Sequence, residues 1–186
     1  MVVFLDTCAL VHLFNPSSDL HRVAKACIEL LLMKKEKTNR LCISVLSLSE
    51  YAVKGDPMVI MNSKFFRIVP FGERHALQAA EFTKFTLSPD NRDENNTRRI
   101  ILTDTKIIAQ AHIEEADYIL TSDTKRFVKT TNALQQLGKL SPKVVLLDEK
   151  SVENLGLIDK EDGLEACSHG DSFASQEHYQ QGVFNF

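Results

Sequence analysis

The sequence predicts an α/β fold of three layers, with helices covering both faces of a mostly parallel five-stranded sheet. Three observations carry this. Short apolar runs bounded by polar or turn residues recur five times along the chain. Between them stand segments whose apolar residues repeat at three- and four-residue intervals, the pattern of helices with one buried face. Strands that alternate with helices at this spacing are joined by crossovers, and crossovers make neighbouring strands parallel.

Val2 to Leu5 forms the first strand, an apolar run that ends abruptly at Asp6. Asp19 to Lys35 follows as a helix, because Leu20, Val23, Ala24, Cys27, Ile28 and Leu31 keep helical spacing and its lysines gather at the C-terminal end, where they suit the macrodipole. Leu41 to Leu46 is the second strand. A helix starting near Ser47 carries Glu50 and Tyr51 until Gly55-Asp56-Pro57 stops it. Phe65 to Phe71 reads as the third strand, and Glu73 to about Phe85 as a helix with Ala76, Leu77 and Ala80 turned inward together with Phe82 or Thr83. Ser88 to Asn96 is polar and rich in turn residues, the composition of a loop. Asp104 then opens a helix that faces the core with Ile107, Ile108 and Ala111. Tyr118 to Thr121 makes the fourth strand, Asn132 to Leu137 a short helix, and Lys143 to Leu147 the fifth strand.

A chain of 186 residues, 44% hydrophobic and 25% charged, suits one globular domain with its own core. The boundary falls near Leu157: residues 1–157 form the domain, and 158–186 form an acidic, polar C-terminal tail without hydrophobic periodicity. From Asp159 onward six acids face Lys160 alone, so the tail carries −5 of a total of −3 and the remainder is +2. No apolar run is long enough to span a bilayer, and Asp6 interrupts the N-terminal run too early for a signal peptide, which points to a cytoplasmic protein. Cys8, Cys27 and Cys42 stand singly in apolar surroundings and no CxxC pair exists, so reduced packing cysteines are expected.

Parallel α/β sheets bind ligands beyond the carboxyl ends of their strands. Four acids fall there: Asp6 after the first strand, Glu50 shortly after the second, Asp104 at a helix start and Asp123 after the fourth. Gathered together, four carboxylates repel one another and need positive charge. Mg²⁺ or Mn²⁺ answers best, since these hard cations take oxygen ligands and no Cys/His set competes for a softer metal. Divalent ions acidify water and neutralise charge on a phosphate undergoing attack, the chemistry of phosphodiester hydrolysis.

These motifs resemble one family. Asp6-Thr7 after an apolar strand, Ser47-Leu48-Ser49-Glu50 after the second, Asp104 ahead of Ile107-Ile108-Ala109-Gln110-Ala111, and Leu120-Thr121-Ser122-Asp123 are similar to the PIN domain, especially the VapC-like toxin nucleases, over roughly the first 150 residues. The resemblance implies Asp6, Glu50, Asp104 and Asp123 as metal-binding catalytic acids, with Thr7 and Thr121 lining the site. It also implies Mg²⁺- or Mn²⁺-dependent endoribonuclease activity on single-stranded or looped RNA. An antitoxin or other regulatory protein, and a homodimer, are the partners it allows.

Bland readings compete at each acid. Asp6 and Asp104 each suit a helix N-cap, Ser47 to Glu50 matches a capping box, and Asp123 suits a turn. Coincidence of all four at one sheet edge favours a site. Arg98, Arg99, Lys125 and Arg126 neighbour Asp104 and Asp123 in sequence and are candidates to hold RNA phosphates, as Lys106 is more weakly. Lys34, Lys35, Lys37 and Arg40 read as a solvated helix end, and His12, His75 and His112 as helix-surface or boundary residues. Asp117 precedes its strand and belongs at the opposite edge, and Asp148 matches no motif. Two alternatives stand beside the nuclease. A non-catalytic RNA- or protein-binding module would keep the acids as caps, and a phosphatase of the haloacid dehalogenase type would use Asp6 as nucleophile but lacks the second Asp at Cys8.

Overall fold

The computed structural model describes residues 1–33, 40–87, 98–148 and 150, without the side chains of 30–33 and 98–101. Lys34, Lys35, Lys37, the segment from Ser88 to Asn96 and the proposed tail lie outside the described residues. Five strands, β1 (Val2–Leu5), β2 (Arg40–Ser44), β3 (Phe66–Val69), β4 (Tyr118–Thr121) and β5 (Lys143–Leu146), form one sheet in the order β3-β2-β1-β4-β5. Every pairing is parallel, so the sheet is wholly rather than mostly parallel.

This order sets the position of the site. From β1 the chain builds outward through β2 to β3, then returns to the other side of β1 for β4 and β5. The direction reverses between β1 and β4, and the loops leaving those two strands part there, which opens a crevice at the carboxyl edge. Register keeps that edge level: Leu5 pairs with Ile43 and with Leu120, and the Asp6 amide donates to the Leu120 carbonyl at 3.0 Å.

Strand alternation sorts the core into two layers. Val3, Leu5, Leu41 and Ile43 pack on one face with Leu10, Leu13, Ala24 and Ile28 from α1 (Thr7–Phe14) and α2 (His21–Met33). Phe4, Cys42 and Ile119 pack on the other with Phe82 of α5 (Glu73–Thr86), Ile107 and Ile108 of α6 (Arg98–Ile113) and Phe127 and Leu134 of α7 (Phe127–Gln136). Complete burial of Phe4, Phe82 and Phe127 contributes roughly 1.5–3 kcal/mol each. Gln110, fully buried, donates to the Val69 and Pro70 carbonyls and so holds the exit of β3 against α6.

Several expectations need correction. The helix expected near Ser47 is α3 (Val45–Tyr51), and its N-cap is Ser44, whose hydroxyl accepts from the Leu46 amide at 3.0 Å. Ser47 to Glu50 is therefore no capping box. Asp104 does not open its helix: α6 starts at Arg98, which leaves Asp104 inside it and removes the capping explanation. Helix α5 turns His75, Ala79, Phe82 and Thr86 inward, while Ala76 and Ala80 are exposed and Leu77 is 73% exposed. The buried His75 takes the Gly72 amide on Nδ1 and faces Glu114 with Nε2 at 3.3 Å, so it is not a surface residue. Helix α7 begins five residues before Asn132, and a short α4 (Pro57–Met61), capped by Asp56, follows the expected stop. Among the described residues no helix is long and apolar enough to cross a membrane.

Candidate active site

Asp6 leaves the buried end of β1 and immediately caps α1, its Oδ1 accepting from the Thr7 amide at 2.7 Å. The cap does not exhaust it. Oδ2 accepts from the Thr121 hydroxyl at 2.9 Å and from the Cys8 thiol at 2.9 Å, so β1, α1 and the end of β4 all orient one carboxylate. Asp6 is 6% exposed, and burial pushes its pKa up, an effect that the Cys8, Thr121 and Thr7 hydrogen bonds oppose and the Glu50 charge reinforces.

Glu50 rides on α3, exposed, and accepts a short hydrogen bond from the Thr7 hydroxyl. Its partner is thus the first residue of α1, 43 positions away, and not its own helix. Asp123 sits two residues beyond β4. Its Oδ1 accepts from the Lys125 and Arg126 amides at 3.0 and 2.9 Å, which makes it the turn residue that the bland reading expected, and Oδ2 pairs with the Arg126 guanidinium at 3.4 Å. The Asp123 amide in turn donates to Thr121 Oγ1 at 3.1 Å.

Asp104 joins these three electrostatically. Burial raises its pKa first, and the charges of Asp6, Asp123 and Glu50 raise it further against Arg126, so the carboxyl is pushed up to about 7. All four acids meet electrically at this one group. Asp117, by contrast, accepts from the Val2 amide at the start of β1, at the opposite edge, and Asp148 accepts from the Lys150 amide in a turn after β5.

The other candidates divide. Thr7 and Thr121 touch Glu50 and Asp6 respectively. Arg126 is committed to Asp123, while the Lys125 side chain is exposed beside it. Arg98 and Arg99 form the first turn of α6, and their side chains lie outside the described residues.

Sequence reasoning missed a second tier of polar groups. Cys8 is not a packing cysteine: its thiol meets Asp6, its sulfur accepts from the Ser122 amide at 3.0 Å, and burial followed by the Asp6 charge pushes its pKa up to about 11, so it remains a neutral donor. His12 spans Ser18 and Ser122 with its two ring nitrogens, tying the end of α1 to the loop that carries Asp123. A lone Cys or His in an apolar segment carries no spacing signal that could have revealed either role.

The donors suit a hard divalent cation. They are oxygens only, and the raised pKa values of Asp6 and Asp104 record a repulsion and desolvation that positive charge would relieve. Among the described residues no three His, Cys, Asp or Glu side chains already stand in a metal-ligating group, so the fit is one of chemistry and charge. Glu50 is exposed and Asp123 is 22% exposed at its side chain, whereas Asp6 is buried.

Comparison with known proteins agrees with this architecture. No curated protein matches the chain. Among solved structures, VapBC2 of Rickettsia felis bound to a promoter DNA fragment is similar at 18% identity and a TM-score of 0.53, covering 80% of this chain and 100% of its own. VapC20 of Mycobacterium tuberculosis, a sarcin-ricin loop cleaving toxin, matches at 16% identity and 0.45 over 63% and 86% of the two chains. DNA-bound VapBC of Salmonella typhimurium matches at 12% identity and 0.48 over 77% and 96%. The PIN-domain model matches residues 3–132, a stretch that covers four of the five strands and all four acids, and the chain belongs to the PIN-domain family.

Proposed function

We propose that this PIN domain is a divalent-metal-dependent endoribonuclease in which Asp6, Glu50, Asp104 and Asp123 hold one or two Mg²⁺ or Mn²⁺ ions. One observation carries the reading: the charges of Asp6, Asp123 and Glu50 all bear on the Asp104 carboxyl at the topological switch point of the sheet. Such a concentration of negative charge around the buried Asp6 and the largely desolvated Asp104 is costly for a fold and suited to a cation.

Each residue has a part. Thr121 and Cys8 fix the Asp6 carboxylate, so its orientation is set before any ligand arrives. Thr7 holds the exposed Glu50 at the start of α1, next to Asp6. Burial and the charges of Asp6, Asp123 and Glu50 push the Asp104 carboxyl up to about 7, so a cation held there would compete with its proton and metal affinity would depend on pH. A divalent ion bound there supplies acidified water and positive charge against the phosphate oxygens. Arg126 holds Asp123, and Arg98, Arg99 and Lys125 are the proposed contacts for the RNA backbone.

A toxin role in the cytoplasm, with an antitoxin as partner and a homodimer as the assembled form, is the biological setting we infer. It is supported by likeness to VapBC2, whose structure is that of a complex on promoter DNA. The test is cleavage of single-stranded and looped RNA by the purified chain with Mn²⁺ and then chelator. Manganese-dependent cuts support the reading. Manganese binding without cuts leaves a non-catalytic module, and hydrolysis of a small phosphate ester with RNA spared favours the phosphatase.

A further inference from the structure

We propose that the outer face of α7 is a track for the RNA backbone beside the carboxylate cluster, with Lys125 and Lys129 as its phosphate contacts. The inference rests on the ribonuclease reading and extends it to substrate binding. Charge is the starting point. Residues 124–147 hold five Lys/Arg and no Asp/Glu, in a chain whose net charge is −3. This basic block begins at the residue after Asp123.

A polyanion cannot approach four carboxylates unless positive charge lies close by. Arg126 is turned to Asp123 and serves the cluster itself. Lys125 and Lys129 are both exposed, stand four residues apart, and rim a groove of about 480 Å³ along α7 with Asn132 and Gln136, over Val128 and Ala133. Lys125 stands in the turn that leads into α7 and Lys129 in the first turn of the helix, so the two charges run from beside Asp123 onto α7. Asn132 and Gln136 extend the row with groups that both donate and accept hydrogen bonds. The groove has no aromatic residue on which a base could stack and no acid to repel phosphate, so it fits a backbone and not a sequence.

The occupant is therefore an RNA strand held through its phosphates. The competing occupant is the chain's own segment from Asp159 onward, at −5. Binding of a fluorescent, mixed-sequence single-stranded RNA separates them. The parent is the full chain with Asp104→Asn, kept in chelator so that nothing is cut, and titrations run from 50 to 200 mM salt. Each phosphate of a single strand that is no longer neutralised lowers the salt slope by about 0.7. Lys125→Gln with Lys129→Gln should reduce the slope by about 1.4 and, at 0.1 M salt, weaken binding about 25-fold. Lys125→Arg with Lys129→Arg should restore both, and melting curves matching the parent show that the fold is intact. Unchanged affinity and slope in the Gln pair, with a parent that binds RNA, overturns the track and leaves the ribonuclease reading standing. If the Gln pair alters only the response to deleting residues 158–186, α7 serves the tail and the proposal falls. A wild-type chain that neither binds nor cuts RNA defeats the ribonuclease reading and the track with it.

Discussion

Asp104→Asn should stabilise the metal-free protein at alkaline pH. The carboxyl is pushed up to about 7 from an ordinary 3.8, so between those values the folded chain binds a proton that the unfolded chain releases. Stability then falls as pH rises through this window and levels off above it. A shift of about 3 pH units corresponds to about 4 kcal/mol once both states are ionised, an upper limit because Asp6, Asp123 and Glu50 titrate together with Asp104. Asparagine is the neutral isostere and does not incur this cost. For a chain of 186 residues the difference corresponds to roughly 8–16 °C in Tm at most. Thermal melts in chelator at half-unit steps from pH 8 to pH 4 should show the Asn variant melting higher at pH 8 and the two curves converging towards pH 4. A residual slope in the variant belongs to Asp6, also raised by burial. Saturating Mn²⁺ should favour the wild type at pH 8, because only its full set of acids gains from binding the native state. Equal melting at pH 8, or a less stable Asn variant, refutes the claim that repulsion and burial dominate at Asp104.

Glu50→Gln removes a charged donor while leaving an acceptor for the Thr7 hydroxyl, so stability should hold in calorimetry while cleavage at subsaturating Mn²⁺ falls by orders of magnitude. Thr121→Val deletes a buried hydroxyl that donates to Asp6 and accepts from the Asp123 amide, and urea unfolding should show a loss of about 1–3 kcal/mol together with weaker Mn²⁺ binding in calorimetry. Deleting residues 158–186 should leave a cooperatively folded core, since all five strands and four acids precede the cut, and should tighten RNA binding in a way that fades in high salt. A truncated chain that fails to fold places the boundary wrongly.

The central strands were the most legible, since β1 and β4 are compact apolar runs with a polar stop, whereas the expected second strand ran on through Val45 and Leu46 into α3 and the expected third ran past Val69 to Phe71. Helix starts were less so. Ser44 and Ser47 are equally good caps on paper, and what selects Ser44 is that β2 ends there, with Ser44 paired to Val69. Asp is unfavourable inside a helix, so the sequence placed Asp104 at a helix start. The structure carries it within α6, which begins six residues earlier at Arg98. Helix α1 was legible only at its start, where Asp6 suits an N-cap, because eight residues with apolar side chains on several faces show no clear period. Similarly, α5 misled because Ala76, Leu77 and Ala80 look apolar while the face that packs includes His75 and Thr86. The four acids were chosen by their positions relative to the strands. Their support was not legible: besides their near neighbours Asp6 and Ser18, Cys8 and His12 both reach Ser122, 114 and 110 residues away, which no local pattern encodes.

Metal-dependent catalysis by the carboxylates is decided by cleavage of single-stranded RNA by the wild type and by Asp104→Asn, each with Mn²⁺ and with chelator. With Mn²⁺ the wild type should cut and the variant should cut slower by orders of magnitude, and in chelator neither should cut. Undiminished cleavage in chelator, or by Asp104→Asn with Mn²⁺, from protein free of contaminating nuclease would contradict metal-dependent catalysis by these acids.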